Sequence, residues 1–449
     1  MGSTKSRSWL AIASVGLICA ACEPKGIGLR PDPDPVQEAR QMTRSGQAVE
    51  AVECFEDILR DDPEDLAAHR GLVEAAYFAG RLAEFERRYR SRASGGEGLG
   101  HYGLALCAVA RGPGGMKAAI EHFQKAEELM PTEADVPYRI GLVYIMDADF
   151  ERAAAALQRA IERDGQRPEP RVALAHCRLQ LNESAKAMDI LRPILNQSPG
   201  PDVVSKARAV AARIFDLERD IPPDAAPEIQ KATTYLGQEG VQQALLLLSE
   251  LAARYPELAL VHFLKGLAHS RMDNRGEAIV ALERAIQLRP DNPEALVALG
   301  DIYFRVGKWQ MARKSYLQAV GLNPFYLEAH MRMAELCEAR GDHEGALQAY
   351  EKVVLLEPDN VRHRHAYADA LARTGRLEDA VAALEAILLY NPDELETLIR
   401  VARLYLALAE KRPARRVDYR QRGLDCVRQA QELSPDNQAL RELLDSLEG

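Results

Sequence analysis

Residues 293–326 read PEALVALGDIYFRVGKWQMARKSYLQAVGLNPFY, and the pattern of this stretch returns along the chain at a fixed step. Pro324 near its end has counterparts at Pro256, Pro290, Pro358 and Pro392, each 34 residues from the next. Ala312 keeps the same step with Ala244, Ala278, Ala346 and Ala380, and Gly300 with Gly266, Ala334, Ala368 and Ala402. A period of this kind marks a unit that cannot bury its apolar face alone and does so by stacking on copies of itself. Each copy reads as two antiparallel helices. The small residues fall where the helices touch, and a larger side chain there overpacks the contact by roughly 1–3 kcal/mol. Gly307, Gly341 and Gly375 stand at the end of the first helix, where a positive φ is wanted. The proline opens the turn into the next copy.

Outward from this block the period holds in both directions. Pro63, Pro131 and Pro199 are in phase, with Gly165 and Glu97 filling two slots, and Ala51, Ala119, Ala153 and Ala187 agree. So do Phe55, Phe123, Leu157 and Leu191. The copy at 66–99 departs from the pattern, with Phe85 in an alanine place, Arg92 in a small apolar place and the loop Ser94-Gly95-Gly96-Glu97-Gly98. The phase breaks once, between Pro199 and Pro256. A helical pattern (Val203, Ala207, Val210, Ile214, Leu217) and Ile221-Pro222-Pro223-Asp224 lie there and read as a joint between two arrays. The last copy, 395–437, carries nine extra residues around Lys411-Arg412-Pro413-Ala414-Arg415-Arg416. Leu440, Leu443, Leu444 and Leu447 then suggest a capping helix.

Leu299-Gly300, Tyr303, Gly307, Ala312, Tyr316, Ala319 and Pro324 resemble the tetratricopeptide repeat pattern L-G…Y…G…A…F/Y…A…P, with Leu296 in place of the opening Trp. The resemblance implies an all-α fold: an α-solenoid with a right-handed superhelix and about eleven repeats in two arrays. The first array is expected over 32–201 (five repeats, the second degenerate) and the second over 225–437 (six repeats). Residues 202–224 join them and 438–449 cap the stack. The resemblance also implies a non-catalytic scaffold that binds a peptide or protein in its concave groove.

The N-terminus reads differently. Lys5 and Arg7 precede an apolar run from Trp9 to Ala21, too short for a bilayer span. Its end, Leu17-Ile18-Cys19-Ala20-Ala21-Cys22, resembles a bacterial lipobox, although Cys19 stands where Leu, Val or Ile is usual. Residues 1–21 are expected to be a lipoprotein-type signal peptide, Cys22 the lipidated residue and 22–31 a tether rich in Pro and Gly. Cleavage that leaves Cys22 unmodified is the alternative. Glu23, rather than Asp, follows Cys22, which by resemblance to enterobacterial sorting favours the outer membrane, with the folded part facing the periplasm.

Composition narrows the function. The chain has 449 residues, 47% of them apolar and 28% charged, and a net charge of -10 that argues against a nucleic-acid binder. Cys54, Cys107, Cys177, Cys337 and Cys426 are scattered and form no metal or disulfide pattern. Gly112-Pro113-Gly114-Gly115-Met116-Lys117 lacks the spacing of a phosphate loop, and His363 and His365 diverge on a helix. No catalytic residues, cofactor or metal are expected. Arg400 to Arg422 holds eight Lys or Arg against Glu410 and Asp418, either a patch for an acidic partner, a lipid headgroup or a glycan phosphate, or a solvated extension.

In this family the second, fifth, ninth and twelfth places of each first helix face the groove. Those places hold an apolar set in the first array: Leu104, Tyr138, Leu142, Ile145, Val172 and Leu179. Ile229, Phe263 and Leu267 continue it. Later the ninth place becomes Asp301, Glu335 and Asp369, with Glu338 beside them and Val297, Phe304, Met331 and His365 between. The expectation is that this groove takes a segment bearing Lys or Arg with apolar anchors; a merely solvated acidic face is the alternative. By analogy with other lipid-anchored repeat proteins, the chain would support a secretion, pilus or polysaccharide-export complex of the envelope. The alternative is an accessory subunit of an envelope enzyme such as a cell-wall or polysaccharide synthase or hydrolase.

Overall fold

The computed structural model describes residues 34–197, 199–238 and 240–448. Within them the chain is helical throughout: 24 α-helices, a few short 3-10 turns and no strand. It divides into two compact units at the Val203–Val204 bond.

The first unit runs through α1 (Pro35–Arg44), α2 (Ala48–Asp61), α3 (Leu66–Phe78), α4 (Leu82–Ser94), α5 (Gly98–Ala110), α6 (Met116–Leu129), α7 (Asp135–Met146), α8 (Phe150–Arg163), α9 (Glu169–Gln180) and α10 (Ser184–Leu191). Helix α11 (Pro201–Ile214) begins at the boundary. The second unit continues with α12 (Ala226–Gly237), α13 (Val241–Arg254), α14 (Ala259–Arg271), α15 (Arg275–Leu288), α16 (Pro293–Arg305), α17 (Trp309–Leu322), α18 (Leu327–Ala339) and α19 (His343–Leu356). It ends with α20 (Val361–Arg373), α21 (Leu377–Leu388), α22 (Leu395–Lys411), α23 (Arg416–Leu433) and α24 (Gln438–Glu448). In each unit consecutive helices pack as antiparallel hairpins that stack on one another, and α24 lies over α22 and α23.

The small residues act as the periodicity predicts. A Cβ on Gly300 would lie 2.4 Å from the Tyr316 ring, and on Gly266 or Gly141 2.6 Å from Leu282 or Leu157. Ala244, Ala278, Ala312 and Ala380 are fully buried. Gly307, Gly341 and Gly375 have φ of 75°, 70° and 82°. Ala148, Asn182 and Asp273 take that left-handed conformation in other copies, at 59°, 61° and 57°. Asn and Asp tolerate it through local hydrogen bonding; Ala148 bears the Cβ clash unrelieved.

A second recurring device was not read from the sequence. At the fourth place of a copy, where the family pattern has Trp, a polar side chain donates to the carbonyl six residues back, at the turn. His69 Nε2 meets Pro63 O at 3.0 Å, His262 Nε2 meets Pro256 O at 2.9 Å and His330 Nε2 meets Pro324 O at 2.9 Å. Arg171 reaches Gly165 O at 3.3 Å, and Arg364 reaches Pro358 O. A carbonyl in the turn between copies, outside the helical pairing, is thereby satisfied.

The irregular copy at 66–99 is distorted in a definite way. Helix α4 barely touches α3 and packs on α5 instead. Phe85, where an alanine would let α3 and α4 close, is buried. On the other side Gly103 lies under the Tyr89 ring and Gly100 against the backbone at Ala93, where a Cβ would sit 2.1 and 2.2 Å away. Bulk has moved from one contact to the other. The glycine-rich stretch 112–115 forms a short turn into α6, with Gly115 against the Ala108 carbonyl.

Candidate partner-binding face

In the second unit the first helices of successive copies, α14, α16 and α18, pack side by side as well as on their own second helices. Their ninth places therefore form a row, but its carboxylates are already engaged. Asp301 Oδ1 accepts the Tyr316 hydroxyl at 2.7 Å and lies 3.4 Å from Arg332 Nε. Arg332 also binds Glu335 and Glu328, each at 2.8 Å. Asp369 receives Arg400 at 2.8 Å, and Arg400 binds Glu396 at 2.7 Å. Glu338 pairs with Arg373. Burial pushes the Asp301 carboxyl up, against the opposing pull of the Tyr316 hydroxyl and Arg332.

Arg332, Arg373 and Arg400 come from the copy after that of Asp301, Glu338 and Asp369, so these three pairs are rungs between neighbouring repeats, whereas Glu335 pairs with Arg332 on its own helix. Arg332 and Arg400 each hold the sixth place of a first helix, two periods apart, and that shared position was the available signal. Among the apolar members, Val297 is buried in the core, while Phe304, edge-on to Trp309, and Met331 are half-buried. His365 is buried with Nε2 2.7 Å from Thr397 Oγ1; burial first, then Arg400, holds its imidazole below the usual value. The face thus offers half-exposed apolar side chains framed by paired charges.

In the first unit Leu104, Val172 and Leu179 are buried, and Tyr138, Leu142 and Ile145 are half-buried. Here the structure assembles a network that sequence reasoning missed. The buried Asp135 carboxylate accepts the Tyr102 hydroxyl at 2.6 Å and lies 3.0 Å from Arg70, 3.2 Å from Arg139 and 2.9 Å from Arg167. Arg139 and Arg167 also flank the Tyr138 ring, 5.3 and 4.8 Å from its centre. Burial alone would raise the Asp135 carboxyl, yet Arg139, Arg70, the Tyr102 hydroxyl and Arg167 hold it far below the usual carboxylate range. The groups belong to three consecutive copies and lock them together.

Cys22 lies outside the described residues. The basic stretch 400–422 forms the ends of α22 and α23, which run 17 and 18 residues. Arg400, Arg412, Arg415 and Arg422 are ion-paired within the chain. Burial pushes the Cys107 and Cys177 thiols up to about 12, out of the reactive range. Among the described residues no three His, Cys, Asp or Glu side chains are placed to hold a metal ion, and no helix is long and apolar enough to cross a membrane.

Three family models match the chain. Two are described as tetratricopeptide repeat, over residues 144–214 and 338–401 and over 44–97 and 297–362, and one as TPR repeat, over 276–307. Together they take in more than half of the sequence. No curated protein sequence matches. Among solved structures, YrrB, described as a TPR protein with an unusual peptide-binding site, is 15% identical over 43% of this chain and 96% of its own, with a TM-score of 0.36. The Cut9–Hcn1 hetero-tetramer of the APC/C is 13% identical over 98% of both chains, with a TM-score of 0.34. A tetratricopeptide repeat protein from Parabacteroides merdae is 14% identical over 59% of this chain and 99% of its own, with a TM-score of 0.32.

Proposed function

We propose that this chain, which belongs to the tetratricopeptide repeat family, is a non-catalytic scaffold that holds a partner protein on the faces of its stacked helices. The observation that carries this reading is the accounting of side chains. The carboxylates along the first-helix row are bound by arginines of the next repeat or, for Glu335, of the same helix, the buried thiols are inert, and what faces outward is apolar and half-exposed. Such a surface suits recognition of a segment by apolar anchors, with the charges fixing register. Phe263, Leu267, Phe304 and Met331 are the anchoring side chains of the groove. Asp301, Glu335, Glu338 and Asp369 select a segment carrying Lys or Arg by exchanging part of their internal pairing for it.

The setting is the bacterial envelope. Lys5, Arg7, the apolar run and Ala20-Ala21-Cys22 support lipid attachment at Cys22 and display toward the periplasm, with Glu23 favouring the outer membrane. The scaffold would there assist assembly of a secretion, pilus or polysaccharide-export complex. Metabolic labelling with a fatty-acid probe tests the anchor: wild type incorporates label and Cys22→Ala does not, and equal labelling of both rejects it. For the scaffold, affinity capture from detergent-solubilised membranes compares wild type with a Phe304→Ser/Met331→Ser variant. A stoichiometric partner kept by the first and lost by the second, with circular dichroism unchanged, is the expected result.

A further inference from the structure

The other side of the second unit carries a pattern that the groove does not use. Leu246 on α13 and Val280 on α15 hold the same place in consecutive copies and are 67% and 68% exposed. The next residue in step is Lys314 on α17. There a cleft of about 550 Å³ opens, lined by Gln310, Arg313, Lys314, Leu317, Gln318 and Arg340. All six are exposed, and no carboxylate lines the cleft. Arg289, Arg332, Arg373, Arg376 and Arg400 of the same unit each have a carboxylate partner. Arg313, Lys314 and Arg340 have none among the described residues. Glu344 and Glu351 stand on the next second helix, outside the lining.

Along this face the order is apolar, apolar, cationic, with Leu317 as an apolar floor beside the cations. Exposed apolar groups repeated in register are a recognition feature, and a net-positive cleft on a chain of net charge -10 is complementary to an acidic group. We propose that this second-helix face docks an acidic amphipathic helix of a partner protein, with apolar residues on Leu246 and Val280 and its carboxylates in the Arg313–Lys314–Arg340 cleft. The proposal deepens the scaffold reading and rests on it. On an α-helix, residues seven apart share one face and lie about 10.5 Å apart, at about 1.5 Å each, so the apolar anchors of the partner are placed at i and i+7. The carboxylates follow within the next two turns.

The test uses the full chain and a labelled designed helix with Leu at i and i+7 and a Glu cluster after them, beside a version with Lys in place of Glu. Fluorescence anisotropy at low and high salt reads the binding. The acidic helix is expected to bind at least about tenfold tighter than the Lys version, a preference that shrinks with salt. Arg313→Glu/Lys314→Glu/Arg340→Glu reverses the preference. Leu246→Ser/Val280→Ser weakens binding about tenfold at both salt concentrations. All five positions are exposed, so the fold is kept and circular dichroism checks it. No binding of the acidic helix, equal binding of both helices, or binding indifferent to the triple reversal overturns the proposal. Self-association that the triple reversal abolishes also overturns it, because the face then belongs to a second copy. Capture of a partner through Phe304 and Met331 is a separate readout, so loss of this proposal leaves the scaffold reading standing.

Discussion

Replacing Asp135 with Asn keeps the size of the side chain and removes its charge, which leaves Arg70, Arg139 and Arg167 facing one another around a neutral amide. The carboxylate side chain is 8% exposed and the three arginine side chains 18–24%, so water screens the repulsion poorly. Breaking a buried pair by removing one partner costs roughly 3–5 kcal/mol, and Asn, which still accepts the Tyr102 hydroxyl, falls toward the lower figure. For a unit of this size about 3 kcal/mol lowers the melting temperature by roughly 6–12 °C. Thermal unfolding followed by circular dichroism should show one transition shifted, that of the first unit. The pH dependence supplies an internal check. The folded carboxyl is held below its unfolded value, so its contribution is complete above the unfolded pKa of about 3.9 and is lost as pH falls toward the folded value. The gap between wild type and variant should therefore be full at pH 7 and narrow below about pH 4. A gap under about 1 °C at pH 7 would refute the charge argument, and so would a gap as wide at pH 2.5 as at pH 7.

Other substitutions probe the repeat devices. Gly300→Leu or Ala312→Leu should destabilise the second unit by roughly 1–3 kcal/mol through overpacking, read as a lower melting temperature; Gly300 has the Tyr316 ring 2.4 Å from the site of a new Cβ. Ala148→Gly should raise first-unit stability by up to about 1 kcal/mol, because it relieves an alanine at φ 59°; an unchanged denaturant midpoint would show that the strain is absorbed elsewhere. His330→Leu strips the Pro324 carbonyl of its donor at a cost of about 1 kcal/mol. Burial holds this imidazole below its unfolded value near 6.5, so the wild-type contribution is present above that value and lost as pH falls through the lower folded one. Wild type and variant should accordingly converge in stability between pH 7 and pH 5.

The sequence alone determined the repeat. A 34-residue step in Pro, Ala and Gly names the unit, its two helices and its stacking, because every copy must solve the same contact with the same small residue. The positive φ of Gly307, Gly341 and Gly375 follows from the same local logic, since a helix end is a property of a few neighbouring residues. The copy at 66–99 could be flagged as irregular from Phe85 and Arg92. That α4 would turn its close contact toward α5 needed the tertiary structure, because Gly100 and Gly103 gain meaning only against Ala93 and Tyr89 of another helix. The charges show the limit most clearly. Asp301, Glu335 and Asp369 read as an acidic row because position on one helix is legible from period. Arg332 and Arg400 reach Asp301 and Asp369 from the next repeat, and Asp135 collects arginines lying up to 65 residues away in the chain. Periodicity fixes which face of a helix a side chain occupies; which charge meets which depends on the rotation between stacked repeats, and only the packed structure decides that.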